Sequence, residues 1–122
     1  MFKKGFLHDV RHNLWEILQT CSKNLGEVMY YFIVNPNSRS GRGRSIWNEI
    51  HQQLMLRGID FQYCLRRYSG HAAEIASDAC ALGTESEPVY IIAVGGDGTI
   101  HEVLTGITDF DRVVFGYIPT GS

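Results

Sequence analysis

The chain has no surplus of charge of one sign. Across 122 residues, 11 lysines and arginines face 13 aspartates and glutamates, a formal net charge of −2. No global basic field exists to gather polyanions, so nucleic acid is not expected as a partner and electrostatics must act through local sites. Cysteine is scarce as well. Cys21, Cys64 and Cys80 are odd in number, far apart and without Cys-x-x-Cys spacing, which speaks for reduced thiols in an intracellular protein, serving as small core residues. The five histidines show no pairing at ligand spacing with one another or with cysteine, and no structural zinc site is assigned. No apolar run approaches the ~20 residues that span a bilayer. Behind Lys3 and Lys4, His8, Asp9, Arg11 and His12 break the apolar stretch, which speaks against a signal peptide. What is present is a chain 44% hydrophobic, suited to one modest core, as a single domain or a piece of one.

Two regions differ in character. In residues 1–28, Phe6, Leu7, Val10, Leu14, Ile17 and Leu18 recur near one face at helical spacing, predicting an amphipathic helix in an N-terminal extension. From Met29 onward, apolar strands alternate with helical patterns. Tyr30 to Val34 reads as a strand stopped by Asn35-Pro36. A loop rich in glycine, serine and arginine runs to Arg44, with Ser45 as N-cap of a helix carrying Ile46, Trp47, Ile50 and Leu54, which Gly58 ends. Ile59 to Leu65 reads as a second strand. Ser69 would cap a small-residue helix from Ala72 to Leu82, before Gly83 and the polar linker Thr84 to Pro88. Val89 to Val94 is a third strand, and Val113 to Ile118 a fourth, after a helix that Gly106 would C-cap. The order β-α-β-α-β-α-β implies an α/β domain with a mainly parallel sheet and helices on its faces.

The chain is organised around the stretch from Val89 to Leu104. Six apolar, largely β-branched or aromatic residues suit a strand buried on both faces. Gly95-Gly96-Asp97-Gly98 follows, and three glycines in four residues keep Cβ atoms away from a bulky anion. Thr99 and Glu102 fit the capping box Thr-x-x-Glu, with a helix from Ile100 whose positive end favours phosphate. The tetrad also suits a compact strand-to-helix turn, although one glycine would suffice for that. In parallel sheets ligands collect beyond the carboxyl ends of the strands. Four unusual loops fall there: Asn35 to Gly43, Arg66 to His71, Gly95 to Gly98, and Pro119 to Ser122. The first offers Asn35, Asn37, Ser38 and Arg39 as donors, with Arg42 and Arg44 as mobile charges. His71 reads as an ordinary first-turn residue beside the site. Asp97 either caps its own turn or assists Mg2+.

Asn35-Pro36-x-Ser38, Gly70-His71-Ala72, Gly95-Gly96-Asp97-Gly98-Thr99 and Pro119-Thr120-Gly121-Ser122, in this order, resemble the diacylglycerol kinase catalytic-domain family. That family includes sphingosine kinases and bacterial lipid kinases, and NAD kinases and phosphofructokinases share the Gly-Gly-Asp-Gly element more distantly. The resemblance implies a three-layer, Rossmann-like ATP-binding domain over residues 29–122, incomplete relative to the family's two-domain lipid kinases. It also implies ATP and Mg2+ as cofactors and phosphoryl transfer to a lipid hydroxyl such as that of diacylglycerol. By the same likeness, Asn35, Asn37 and Ser38 would contact the nucleotide, Gly95, Gly96, Asp97, Gly98 and Thr99 would cradle its phosphates, and Ser122 would add a hydroxyl.

Three departures accompany the likeness. Arg66 stands where the family commonly carries threonine, so a nucleotide contact there is made differently. His101 and Thr105 occupy positions usually held by asparagine. The sequence stops at Ser122, ahead of an Asn-Asp element and the β-rich domain that holds the family's lipid site and proposed general base. The expectation is therefore a nucleotide-binding part, inactive on lipid by itself, of a cytoplasmic enzyme peripheral to the membrane, with a homodimer left open. A kinase for a soluble acceptor such as NAD, and a nucleotide-binding module without catalysis, are the alternatives.

Overall fold

The computed structural model describes residues 29–121. The amphipathic segment, Cys21 and the Ser122 hydroxyl lie outside the described residues. Four strands form one sheet: β1 (Tyr30–Val34), β2 (Gln62–Leu65), β3 (Val89–Gly95) and β4 (Val113–Pro119). Three helices connect them: α1 (Arg42–Leu56), α2 (His71–Cys80) and α3 (Asp97–Gly106). A short 3-10 turn, Phe110–Arg112, precedes β4. The sheet order is β2-β1-β3-β4, and every pairing is parallel.

Successive strand residues point to opposite faces, so the apolar runs of β1 and β3 feed two cores at once. On one face Tyr30, Phe32, Val34, Ile92, Val94 and Ile118 pack against Trp47, Ile50 and Leu54 of α1. On the other, Ile33, Ile91, Ala93, Val113 and Phe115 meet the small-residue face of α2 and Ile100 and Val103 of α3. This is the three-layer arrangement implied by the strand and helix alternation. Phe32 and Leu54 have no exposed surface, and burying a side chain of that size contributes about 1.5–3 kcal/mol. Small residues on α2 let it lie close to α3. A Cβ on Gly106 would overlap the carbonyl of Ala73, so that glycine serves helix contact and is itself the last residue of α3, with Ile107 as the C-cap.

None of the three helices starts where cap chemistry predicts: α1 and α3 begin earlier, and α2 one residue later. α1 is preceded by Gly41 rather than Ser45, because Arg39, Ser40 and Gly41 all take positive φ and turn the chain at once. Arg42 and Arg44 consequently lie in the first turn of α1 and not in the loop. α2 follows Gly70, at φ 90°, rather than Ser69, and it ends at Cys80. α3 begins at Asp97 behind an extended Gly96, which places Thr99 inside the helix and rules out the Thr99–Glu102 capping box. β2 starts at Gln62, three residues later than Ile59, since only Gln62 to Leu65 pairs with β1. Gly58, at φ 66°, does terminate α1 as expected. Cys80 is buried in the core as predicted, whereas Cys64 is only half-buried.

Candidate functional site

Strand order fixes where a site can form. From β1 the chain moves outward through α1 to β2, then crosses back through α2 to β3, and continues through α3 to β4. The direction reverses between β1 and β3, and a crevice opens there beyond their carboxyl ends. Asn35 emerges from β1 and Gly96 from β3 at this point. The Asn35 N–H still donates to the Val94 carbonyl at 2.9 Å.

Side chains stitch the loops around the crevice. Asn35 Nδ2 donates to Thr99 Oγ1 at 3.0 Å, and Asn35 Oδ1 accepts from the Asn37 N–H at 3.1 Å. Both ends of the carboxamide are thus engaged within the protein. The Ser38 and Thr120 hydroxyls lie 2.8 Å apart, and Thr120 is buried. The Thr120 N–H donates to the Gly95 carbonyl at 3.1 Å, closing a ring of contacts from the β1 loop through β4 to the β3 loop. Close approach also explains two glycines. A Cβ on Gly43 would overlap the Asn35 carbonyl, and one on Gly95 would sit 2.7 Å from the Thr99 Cβ. Thr99 is buried beneath the loop instead of capping it.

What these contacts leave open is the N-terminus of α3. No side chain caps it, Gly96 is extended, and a Cβ on Gly98 would meet nothing within 4 Å. The first-turn amides, with the positive end of the helix dipole behind them, are therefore accessible at the crevice. Asp97 and Gly98 are exposed. Arg42 and Arg44 are exposed on the uncapped first turn of α1, which holds no acidic residue. The structure brings Asn35, Asn37, Ser38 and Gly95 to Thr99 together at this end of the sheet.

Arg66 is placed differently from a free phosphate ligand. Its Nε and Nη2 donate to Glu102 Oε1 and Oε2 at 3.1 and 3.2 Å, a bidentate pair. Glu102 Oε1 also accepts the Ala72 N–H at 2.8 Å, so a residue of α3 serves the first turn of α2. Burial pushes the Glu102 carboxyl up, but hydrogen bonds from Arg66 and from the Ala72 and Gly70 backbone outweigh it and leave the group below its ordinary value. Neither this role of Glu102 nor that of Thr120 is readable in the sequence, since their partners lie 30 to 82 positions away. His71 stands in the first turn of α2, as predicted, where its Nδ1 accepts the Arg67 N–H and its ring stacks on Tyr68 at 4.4 Å.

Comparison with known proteins adds the lineage. Over 94 residues the chain is 37% identical to the diacylglycerol kinase of Bacillus subtilis, covering 74% of this chain and 29% of that protein. It is 37% identical over 103 residues to sphingoid long-chain bases kinase 1 of Arabidopsis thaliana, covering 74% of this chain and 12% of the relative. The chain thus spans 30% or less of the length of the curated relatives it matches first. A solved structure, "a putative diacylglycerol kinase from Bacillus anthracis str. Sterne", shares the fold with a TM-score of 0.59 at 23% identity, over 78% of this chain and 33% of that one. Residues 29–122 match the family model described as the diacylglycerol kinase catalytic domain, and the chain belongs to that family.

Proposed function

We propose that this chain supplies the nucleotide-binding part of a lipid kinase that transfers the γ-phosphoryl group of ATP, taken with Mg2+, to a lipid hydroxyl such as that of diacylglycerol. The observation that supports this most is the uncapped first turn of α3, behind Gly95 to Gly98, at the point where the strand order reverses. Phosphoryl transfer needs positioning and charge neutralisation more than covalent help from the protein. A loop of backbone donors on a rigid sheet is suited to both.

The residues present fit a polyphosphate. Glycine at position 98 keeps the loop open, and the arginines at the start of α1 add positive charge at the same end of the sheet. Among the described residues no group of three histidines, cysteines or carboxylates could hold a metal ion. Mg2+ would therefore arrive with the phosphates, and exposed Asp97 at the loop is the carboxylate to assist it, directly or through water. The acceptors in the relatives' names, diacylglycerol, acylglycerol, sphingoid bases and ceramide, are all lipids, which favours a lipid over a soluble acceptor. We assign the acceptor site to the part of the relatives' length that this chain does not cover.

Calorimetry with MgATP tests the reading. These 122 residues are expected to bind it weakly, with Kd of about 0.1–1 mM, and to phosphorylate no lipid. Gly98→Ala places a methyl group in the loop without touching protein. It should weaken MgATP by about tenfold or more, 1.4 kcal/mol, while the melting temperature holds or rises. Undiminished binding by a folded Gly98→Ala chain would sink the phosphate-loop assignment. Robust phosphorylation of diacylglycerol by these residues alone would overturn the division of labour. Acceptor assays on the complete gene product, with diacylglycerol against NAD, decide the substrate class.

A further inference from the structure

The pairing of Arg66 with Glu102 leaves part of the arginine unused. Arg66 directly follows β2, and its N–H donates to the Val34 carbonyl at 2.7 Å, so it stands at the carboxyl end of the sheet next to β1. Glu102 lies on α3, four residues after Gly98 and three after Thr99, on the side of the helix continuous with its first turn. The guanidinium spends one edge, Nε and Nη2, on this carboxylate. Among the described residues Nη1 meets no partner, and the Arg66 side chain retains 22% of its exposure. Glu102 is itself held by the Ala72 N–H. A guanidinium is a rigid fork, so pinning one edge fixes the direction of the other. It also removes in advance the rotamer entropy that a free arginine loses on binding.

Resting on the nucleotide reading above, we infer that Glu102 is a positioning residue that holds Arg66 so its free Nη1 edge takes a phosphate oxygen of a nucleotide seated on the Gly95 to Gly98 loop. Arg66 is then a ligand of the polyphosphate, and Glu102 acts only through it. The ion pair persists when nucleotide binds, because the two partners of the guanidinium use different edges.

The test compares MgATP, MgADP and AMP binding, by calorimetry, for the unaltered chain, Arg66→Met, Glu102→Gln and the double variant, each first shown to be folded by its melting curve. Arg66→Met should weaken MgATP by about tenfold, as expected for one charge-assisted contact, and AMP by less than about twofold. Glu102→Gln keeps an acceptor for Ala72 but loses the charge, and should weaken MgATP by about threefold to fivefold. The double variant should bind no worse than Arg66→Met alone, because Glu102 acts through the arginine. Arg66→Lys, which keeps the charge without the fork, should not restore binding. Equal losses for MgATP and AMP would mark a merely structural pair and overturn the inference. Additive losses in the double variant would do the same. An unaltered chain that binds none of the three nucleotides would refute the nucleotide reading and this inference together, whereas binding indifferent to Arg66→Met refutes this inference alone.

Discussion

Gly98 and Gly106 stand at opposite ends of α3, and adding a methyl group to each has opposite consequences. At Gly98 the added Cβ meets no protein atom, so what it disturbs is whatever approaches from outside. At Gly106 it would overlap the Ala73 carbonyl of α2. Replacing glycine by alanine within a helix ordinarily gains up to about 1 kcal/mol from backbone entropy. Forcing one extra methyl into a close-packed contact costs about 1–3 kcal/mol. The packing cost is the larger because the clash is with backbone, which cannot rotate away. Gly106→Ala should therefore lower unfolding free energy by about 1–2 kcal/mol in urea denaturation; a gain would mean that α2 and α3 separate freely. The same residue-scale reasoning explains why Asn35 and Ser38 look polar and available in the sequence yet are occupied in the fold. Their partners, Thr99 in the first turn of α3 and Thr120 after β4, lie 64 and 82 positions away.

At the scale of elements, each helix begins at a glycine without a side-chain cap: Gly41, Gly70 and Gly96. Serine or threonine at an N-cap is worth about 1 kcal/mol, and Ser45, Ser69 and Thr99 were the residues that cap chemistry pointed to. Gly41, at positive φ, and the extended Gly96 turn the chain before Ser45 and Thr99 are reached, Gly70 turns it one residue after Ser69, and Thr99 is drawn inward to Asn35. β1, β3 and β4 were legible because buried parallel strands carry long apolar runs, whereas the half-exposed edge strand β2 starts three residues later than its pattern suggests. Helix starts were not legible, because their end groups are satisfied, or left open, by tertiary partners. For α2 that partner is Glu102, and it sets a pH dependence. The folded carboxyl lies below its ordinary value of 4.5. Its contribution to stability is fully present above the unfolded pKa and is lost as pH falls through the folded one. The stability difference between the unaltered chain and Glu102→Gln should be constant above about pH 6 and shrink through the acid range. Denaturation curves at a series of pH values will show this, and a difference that stays constant down to pH 3 would exclude an ionised Glu102 as the clasp on α2.

For the molecule as a whole, the place of the site was legible before its contents. Alternation of strands and helices required a parallel sheet, and a parallel sheet brings four loops to one end. Which side chains meet there depends on strand order, and β2-β1-β3-β4 is decided by crossovers that no local pattern records. The same topology places the start of β1, at Tyr30, at the opposite end of the sheet from the crevice. The family match begins at residue 29 and β1 at Tyr30. Every described contact at the crevice, from Asn35 to Thr120, is made within residues 35–120. A chain beginning at Met29 should therefore keep the register of β1 between β2 and β3 and bind MgATP within about threefold of the longer chain, less than 1 kcal/mol. Calorimetry and a melting curve on the shortened chain measure both. If the melting temperature collapses, residues 1–28 belong to the structural unit. If the chain melts as before but binding is lost, they act at the site, and the crevice is not the whole of it.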